Sequence, residues 1–318
     1  MRDYISKISP LMREFEQYQL ASGRWCENYN LYLTLFDRHC DANFSESALL
    51  TQEMLDSWCG QRETETNNSC RSRIYPVASF VRYLQKRGRT DVRVPAIPRK
   101  ENRTYIPHAF TIEELQNFFD ACDTMVSYSE TEEQISQRLT VPVFFRLLYS
   151  SGIRTNEARM LHKSNVDLIH GVLDIEYSKG HDQHFIVMHD SMQLLMQEYD
   201  AVIGKMYPDR LYFFPARAGK CHTKQWVSVN FKKLWGRSNS SYAVPYEFRH
   251  NYAIENINSW MNDGFDFNQK LHSLSKSMGH SVIESTKYYY SLVPRLADIM
   301  AEHTNEDEVI PEVPYESY

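Results

Sequence analysis

The stretch RVPAIPRKENRTYIP (residues 93–107) holds Pro95, Pro98 and Pro107. It cannot pack as one regular element, because each proline fixes φ and removes a backbone donor. It reads as a basic linker over residues 92–107, dividing the 318-residue chain into two helical regions. That division matches the length, which exceeds what one core comfortably organises. Before the linker, residues 1–91 read as helical. YNLYLTLFDRHC and PVASFVRYLQKRG carry apolar residues at helical spacing, and Val77, Phe80, Val81 and Leu84 form one stripe. Pro76 is expected in the first turn of that helix and Gly88 at its end, with Arg82, Lys86 and Arg89 off the stripe.

After the linker, Thr111 followed by Glu113 and Glu114 signals a helix start. Between residues 171 and 189 the period changes from helical to alternating. GVLDIEY and HFIVMH are β-prone runs flanking SKGHDQ, which predicts an antiparallel hairpin with a turn of several residues. Helical patterning returns at YEFRHNYAIENINSWM. The expected fold class is mainly α with a small antiparallel sheet, an α+β arrangement. With 42% hydrophobic and 24% charged residues, there is material for two cores and charge for solubility.

Six scattered cysteines, without CxxC or histidine clustering, read as reduced and semi-buried rather than as metal ligands. No basic start leads into an apolar run, and nowhere do about 18 apolar residues run together. The expectation is a cytoplasmic protein with no membrane partner.

The net charge of −6 argues against a nucleic-acid partner when taken alone. Its distribution along the chain argues the opposite way. Residues 296–318 carry seven acids and no Lys or Arg, leaving +1 for residues 1–295. Residues 71–103 hold ten basic residues against Asp91 and Glu101, a local +8. The candidate phosphate contacts are Arg71, Arg73, Arg82, Lys86, Arg89, Arg99, Lys100 and Arg103, set against the plain alternative of a solvated face.

Several sites then stand out in order. In LLYSSGIRTNEARML one helix ends at Gly152 and another begins near Thr155, leaving Arg154 beside a helix N-terminus, where a guanidinium fork suits phosphate. SKGHDQ sets Lys179 on the hairpin turn. VPYEFRHNYA places Arg249 and His250 in an apolar helix start, where a buried arginine requires a partner. Gly279 marks a helix stop before His280, and Ser281-x-x-Glu284 fits a capping box. In TKYYYS, successive helical residues point about 100° apart, so at most one of Tyr288, Tyr289 and Tyr290 faces a given site. Each has a bland reading: surface arginine, solvated lysine, structural ion pair, core aromatics. Helical geometry does not choose among the tyrosines.

Taken in order, these residues resemble the tyrosine recombinase (phage integrase) family over nearly the whole chain. The family's helix-ending Gly, apolar residue, Arg and Glu three later match Gly152, Ile153, Arg154 and Glu157. Its hairpin sKG matches Ser178, Lys179 and Gly180. Its H-x-[LF]-R-H box matches YEFRH, residues 246–250, and its LGH with a tyrosine nine later matches Met278, Gly279, His280 and Tyr289. The closing LSKSMGHSVIESTKYYYSLVPRL is most similar to a subgroup from transposons and integrative elements. Tyr288 then takes that subgroup's aromatic support position, and Tyr290 is left for packing.

The resemblance implies a helical core-binding domain (1–91), the linker (92–107), a mixed catalytic domain of the DNA breaking-rejoining type (108–295), and a C-terminal docking segment with an acidic tail (296–318). It implies a site-specific recombinase, the integrase or transposase of a mobile element. Tyr289 attacks a phosphodiester, a 3′-phosphotyrosine forms, and strand exchange proceeds through a Holliday junction without metal, ATP or cofactor. Arg154 and Arg249 neutralise the transition state, Lys179 protonates the leaving oxygen, His280 donates to the phosphate and Glu157 orients Arg154. The family's first box histidine is replaced by Tyr246, and a phenol is a poor base at neutral pH. His280 or bound water is then left to take the proton, with His250 as the alternative. The implied partners are a double-stranded recombination site clamped by the two lobes, a homotetramer on two duplexes, and accessory or sister recombinases of the same element. The acidic tail reads as a shield for the DNA channel. Two alternatives remain at this level. One is a non-catalytic or weakly catalytic DNA-binding relative with a structural or regulatory role. The other is a type IB topoisomerase.

Overall fold

The computed structural model describes residues 4–101, 107–125, 131–176, 183–260 and 267–280, with Ile283, Ser285, Thr286 and Tyr289. The chain divides into two compact units, Met1–Tyr105 and Ile106–Tyr318.

The first unit packs four helices: α1 (Ser9–Ala21), α2 (Glu27–Asn43), α3 (Gln52–Cys59) and α4 (Asn67–Gln85). Its core joins Met12 and Phe15 of α1 to Leu33 and Phe36 of α2, Leu55 and Trp58 of α3, and Val77, Phe80, Val81 and Leu84 of α4. The α4 stripe thus faces inward, while Arg82, Lys86 and Arg89 are exposed. Asp37 is fully buried on α2. Its carboxylate accepts the backbone N–H groups of Ile5 and Ser6 at 2.6 and 3.1 Å, which fastens the entering chain.

Pro76 departs from expectation. It lies inside α4, which starts at Asn67 under a Thr66 cap. Proline removes the N–H that would bond Ser72 four residues back; the Asn28 amide donates to that carbonyl instead, at 3.2 Å. The earlier turns leave no clear helical stripe in the sequence because buried Arg73 interrupts their apolar face. Gly88, after the helix, has φ +65°, the left-handed turn that glycine adopts without strain.

Residues 92–101 have no helix or strand, yet they lie against this unit. Val94 and Ile97 pack beside Cys70, Ile74 and Ala78. The Glu101 N–H donates to Asn68 at 3.0 Å, and Arg71 donates to the Pro98 carbonyl at 3.0 Å. The prolines prevent regular structure without preventing docking.

The second unit contains α5 (Ile112–Asp123), α6 (Glu132–Ser151), α7 (Thr155–Arg159), β1 (Val166–Asp167), β2 (Val172–Ile175), β3 (His184–Val187), α8 (Asp190–Met206), α9 (Lys224–Trp235), α10 (Glu247–Ser259) and α11 (Phe267–Ser277). Thr111 caps α5 in a full capping box with Glu114. Helix α6 runs through the centre, packed by α5, α8 and α10. Around it Phe118, Phe144, Phe145, Phe213, Phe214, Phe231 and Phe248 are all fully buried; truncating one such ring to alanine removes about 3–5 kcal/mol.

The sheet is antiparallel in the order β1-β2-β3. Its short first strand left no readable pattern. In β2 and β3, Leu173 pairs with Ile186 and Ile175 with His184, the last pair before the hairpin turn. Lys179 on that turn lies outside the described residues, as do Arg103, the Ser281/Glu284 capping box, Tyr288, Tyr290 and residues 296–318.

Candidate active site

Helix α6 stops at Gly152, whose φ of +63° reverses the chain and whose N–H bonds Leu148. A Cβ there would lie 2.4 Å from the Tyr252 ring, so only glycine fits. Ile153 then enters the core, and Arg154 becomes the N-cap of α7. Glu157, one turn later and 4% exposed, reaches back to the Arg154 N–H at 3.0 Å. Its other oxygen accepts from Arg154 Nη1 at 2.6 Å, while Nη2 donates to the Gly279 carbonyl at 2.8 Å.

Arg249 projects from α10 and is only 2% exposed. Its Nη1 donates to the Gly152 carbonyl and its Nη2 to the Met278 carbonyl, both at 2.6 Å. Nη2 also lies 3.0 Å from His280 Nε2. Nε is buried with no hydrogen-bond partner among the described residues. Burial, and secondarily the neighbouring Arg154 cation, lower the Arg249 pKa. Two guanidinium groups are therefore held side by side by neutral carbonyls and one carboxylate, a site of concentrated positive potential.

The turn after α11 supplies the rest. Gly279 has φ +62°. His280 Nδ1 lies 2.7 Å from the Thr286 hydroxyl, which is fully buried. Tyr289 is 4% exposed; its ring lies near-parallel to His280 at 6.2 Å and tilted against His250 at 5.4 Å. Burial pushes its phenol up to about 12, opposed by Arg249 and Arg154. His250 is held neutral, its pKa lowered to about 4 by burial and then by Arg249. Tyr246, half-exposed at the start of α10, packs edge-on to His250 at 5.0 Å and borders a cleft of about 400 Å³ with Thr155, Asn156 and Arg159. It is close enough to raise the Tyr289 pKa further.

Arg154, Glu157, Arg249, His280, Tyr246 and Tyr289 thus converge from three segments far apart in sequence. His280 Nε2 accepts from Arg249, which leaves Nδ1 as the donor, toward the Thr286 hydroxyl.

Of the proposed phosphate contacts, Arg73 is not available. It is 2% exposed, donates to Glu65 at 2.8 and 2.5 Å and to the Gly60 carbonyl at 3.0 Å, and also bonds the Trp58 carbonyl. Burial beside a carboxylate, not solvent, is what a cation on the inner face of α4 requires. Arg82, Lys86, Arg99 and Lys100 are exposed; Arg71 is partly buried on Pro98, and Arg89 lies 3.6 Å from Glu14.

Three residues of the site are not marked as such by the sequence. His184 contacts the Gly279 turn, Tyr252 covers Gly152, and Thr286 holds His280. Only Thr286 belongs to a motif with a functional signal, TKYYYS. Among the described residues no three His, Cys, Asp or Glu side chains group to hold a metal, and no helix is long and apolar enough to cross a membrane.

Residues 109–294 match the phage integrase family. An integrase/recombinase-type protein, y4rE, of Sinorhizobium fredii is 25% identical over 189 residues, 58% of this chain and 59% of its own length. The tyrosine recombinase XerC of Xanthomonas campestris pv. campestris is 24% identical over 298 residues, covering 91% of this chain and 84% of its own. Among solved structures, the Tn1549 transposon integrase in complex with transposon right end DNA shares the fold, with a TM-score of 0.60 at 14% identity over 95% of this chain and 99% of that one. With more than half its length matched and the arginines, histidine and tyrosine gathered at one point, the chain belongs to the phage integrase family, the tyrosine recombinases.

Proposed function

We propose that this protein is a site-specific DNA recombinase that cuts and rejoins DNA through Tyr289. The observation that carries the reading is the convergence of a buried tyrosine, two arginines and a histidine on one turn. The phenol oxygen attacks a phosphodiester, forming a 3′-phosphotyrosine and releasing a 5′-hydroxyl. Attack by another strand's 5′-hydroxyl on that linkage releases Tyr289 and reseals the DNA through a Holliday junction.

Negative charge grows on the non-bridging oxygens as the phosphorus becomes five-coordinate. Arg154 and Arg249 face that charge; losing one such group removes roughly a hundredfold or more in rate. The leaving oxygen takes its proton from Lys179, on the hairpin that starts beside His184. Neutral His250, packed on the Tyr289 ring, and solvent are the candidate acceptors for the phenol proton, since Arg249 engages His280 Nε2. Tyr246, a phenol at the rim, is suited to hydrogen-bond a phosphate oxygen.

The substrate in this reading is a duplex recombination site, bound by exposed Arg82, Lys86, Arg99 and Lys100, and the working assembly is a tetramer on two duplexes with sister recombinases as further partners. Similarity to a transposon integrase and the closing sequence segment favour the integrase or transposase of a mobile element. The test is a nicked suicide duplex carrying the element's own end sequence. Wild-type protein is expected to form a covalent adduct on a denaturing gel, and Tyr289→Phe none. Phe at 288 or 290 should leave the adduct intact. No adduct from the wild type would overturn the proposal.

A further inference from the structure

Arg154 has two side-chain anchors, the Glu157 carboxylate and the Gly279 carbonyl. One residue with no part in the reaction outlined above lies against both Glu157 and the Gly279 turn. His184, the first residue of β3, is 7% exposed, and its Nε2 lies 3.9 Å from Glu157 Oε2. Its ring also lies directly beneath Gly279: a Cβ at that position would sit 2.5 Å from His184 Cε1 and 2.6 Å from Nδ1. Any side chain at 279 would collide with the imidazole, and only glycine adopts φ +62° there without strain. The bare turn therefore packs directly against the ring.

We infer that His184 is a positioning residue for Arg154, an inference that rests on the recombinase reading. Its imidazole supports the turn that presents the Gly279 carbonyl and meets the far side of the carboxylate that grips Nη1. Removing the ring leaves space under the turn and loosens both anchors at once, so the guanidinium loses its fixed aim. His184 also pairs with Ile175 at the last rung before the connection that carries Lys179. The same residue thus ties the end of the β2–β3 ladder to the arginine site. A misplacement of about 1 Å at such a site lowers rates by about a hundredfold.

The experiment measures single-turnover cleavage of the suicide duplex and, separately, its dissociation constant, for wild type, His184→Ala, His184→Gln, Glu157→Gln and the His184→Ala/Glu157→Gln pair. His184→Ala should cleave roughly ten- to a hundredfold more slowly with affinity changed by less than about twofold. His184→Gln, which keeps a polar edge toward Glu157, should recover part of the rate. Because both residues act on Arg154, the double variant should be slower than Glu157→Gln alone, through the Gly279 anchor, but by less than the product of the two single losses. Should His184→Ala fold poorly, His184→Phe keeps the ring under Gly279 and is expected to cleave slowly at normal affinity. Full-rate cleavage by the folded variants, fully additive losses, or a fall in affinity that matches the fall in rate would overturn the inference while leaving the recombinase reading intact. No adduct from the wild type would overturn both.

Discussion

Arg249 Nη2 lies 3.0 Å from His280 Nε2, and this contact fixes the tautomer of the histidine. A guanidinium only donates, so Nε2 accepts and Nδ1 carries the proton. That proton points to the Thr286 hydroxyl 2.7 Å away. Thr286 is fully buried, so nothing from solvent replaces it. Thr286→Val keeps the shape and leaves a buried N–H without its acceptor, a penalty of about 1–3 kcal/mol. The expected result is roughly a tenfold slower adduct formation, with Thr286→Ser close to wild type. Equal rates for Val and Ser would show that the hydroxyl does not set the ring.

The pH dependence of cleavage follows from Tyr289. Its phenol is pushed up to about 12 by burial, so it is protonated at neutral pH, and the neighbouring arginines act in the opposite direction. The phenolate fraction rises about tenfold per pH unit below that value. Single-turnover cleavage should therefore increase from about pH 6.5 to about pH 8.5. Because the Arg249 cation lowers the phenol pKa, residual cleavage by Arg249→Ala should need a higher pH still. A flat wild-type profile would mean that deprotonation of Tyr289 does not limit the step.

Local signals in the sequence predicted local structure well. The alternating runs around SKGHDQ form the β2–β3 ladder, Thr111 and Glu114 form their capping box, and Gly152 and Gly279 reverse the chain at positive φ. Each depends on residues within a few positions of one another. What sequence did not reveal depends on distant pairs. Tyr252 covers Gly152 and His184 underlies Gly279 across about a hundred residues, and such contacts leave no periodic trace. Arg73 shows the converse. Its charge suggested DNA, but its partner Glu65 precedes the helix and is recognisable only once α3 and α4 are packed.

Gly152 joins the core to the site. Its carbonyl accepts from Arg249, and its α-carbon faces the Tyr252 ring. Gly152→Ala adds a methyl 2.4 Å from that ring in a left-handed conformation, which alone disfavours a non-glycine residue by about 1–2 kcal/mol. The variant should melt at lower temperature and lose cleavage further, because Tyr252 or the turn must shift and the Gly152 carbonyl moves with it. Tyr252→Ala in the same chain should restore part of the melting temperature. No recovery would assign the loss to backbone strain alone.

Arg73 and its exposed neighbours should separate cleanly between stability and DNA affinity. Arg73 and Glu65 form a buried pair, 3% and 11% exposed. The Arg73 guanidinium holds the Glu65 carboxyl down at about 2, against an ordinary 4.5. A depressed carboxylate stabilises the fold fully above the unfolded pKa, so this contribution is present above about pH 4.5 and is lost as pH falls toward 2. Glu65→Ala strands a buried cation and should destabilise the first unit by about 3–5 kcal/mol in urea unfolding at neutral pH. Arg82→Ala and Lys86→Ala, both exposed, should change stability by less than about 0.5 kcal/mol. They should instead lower DNA affinity, each reducing the slope of log affinity against log salt by about 1. An unchanged slope for both would remove this face of α4 from the DNA interface, and a stable Glu65→Ala protein would show that Arg73 finds another partner.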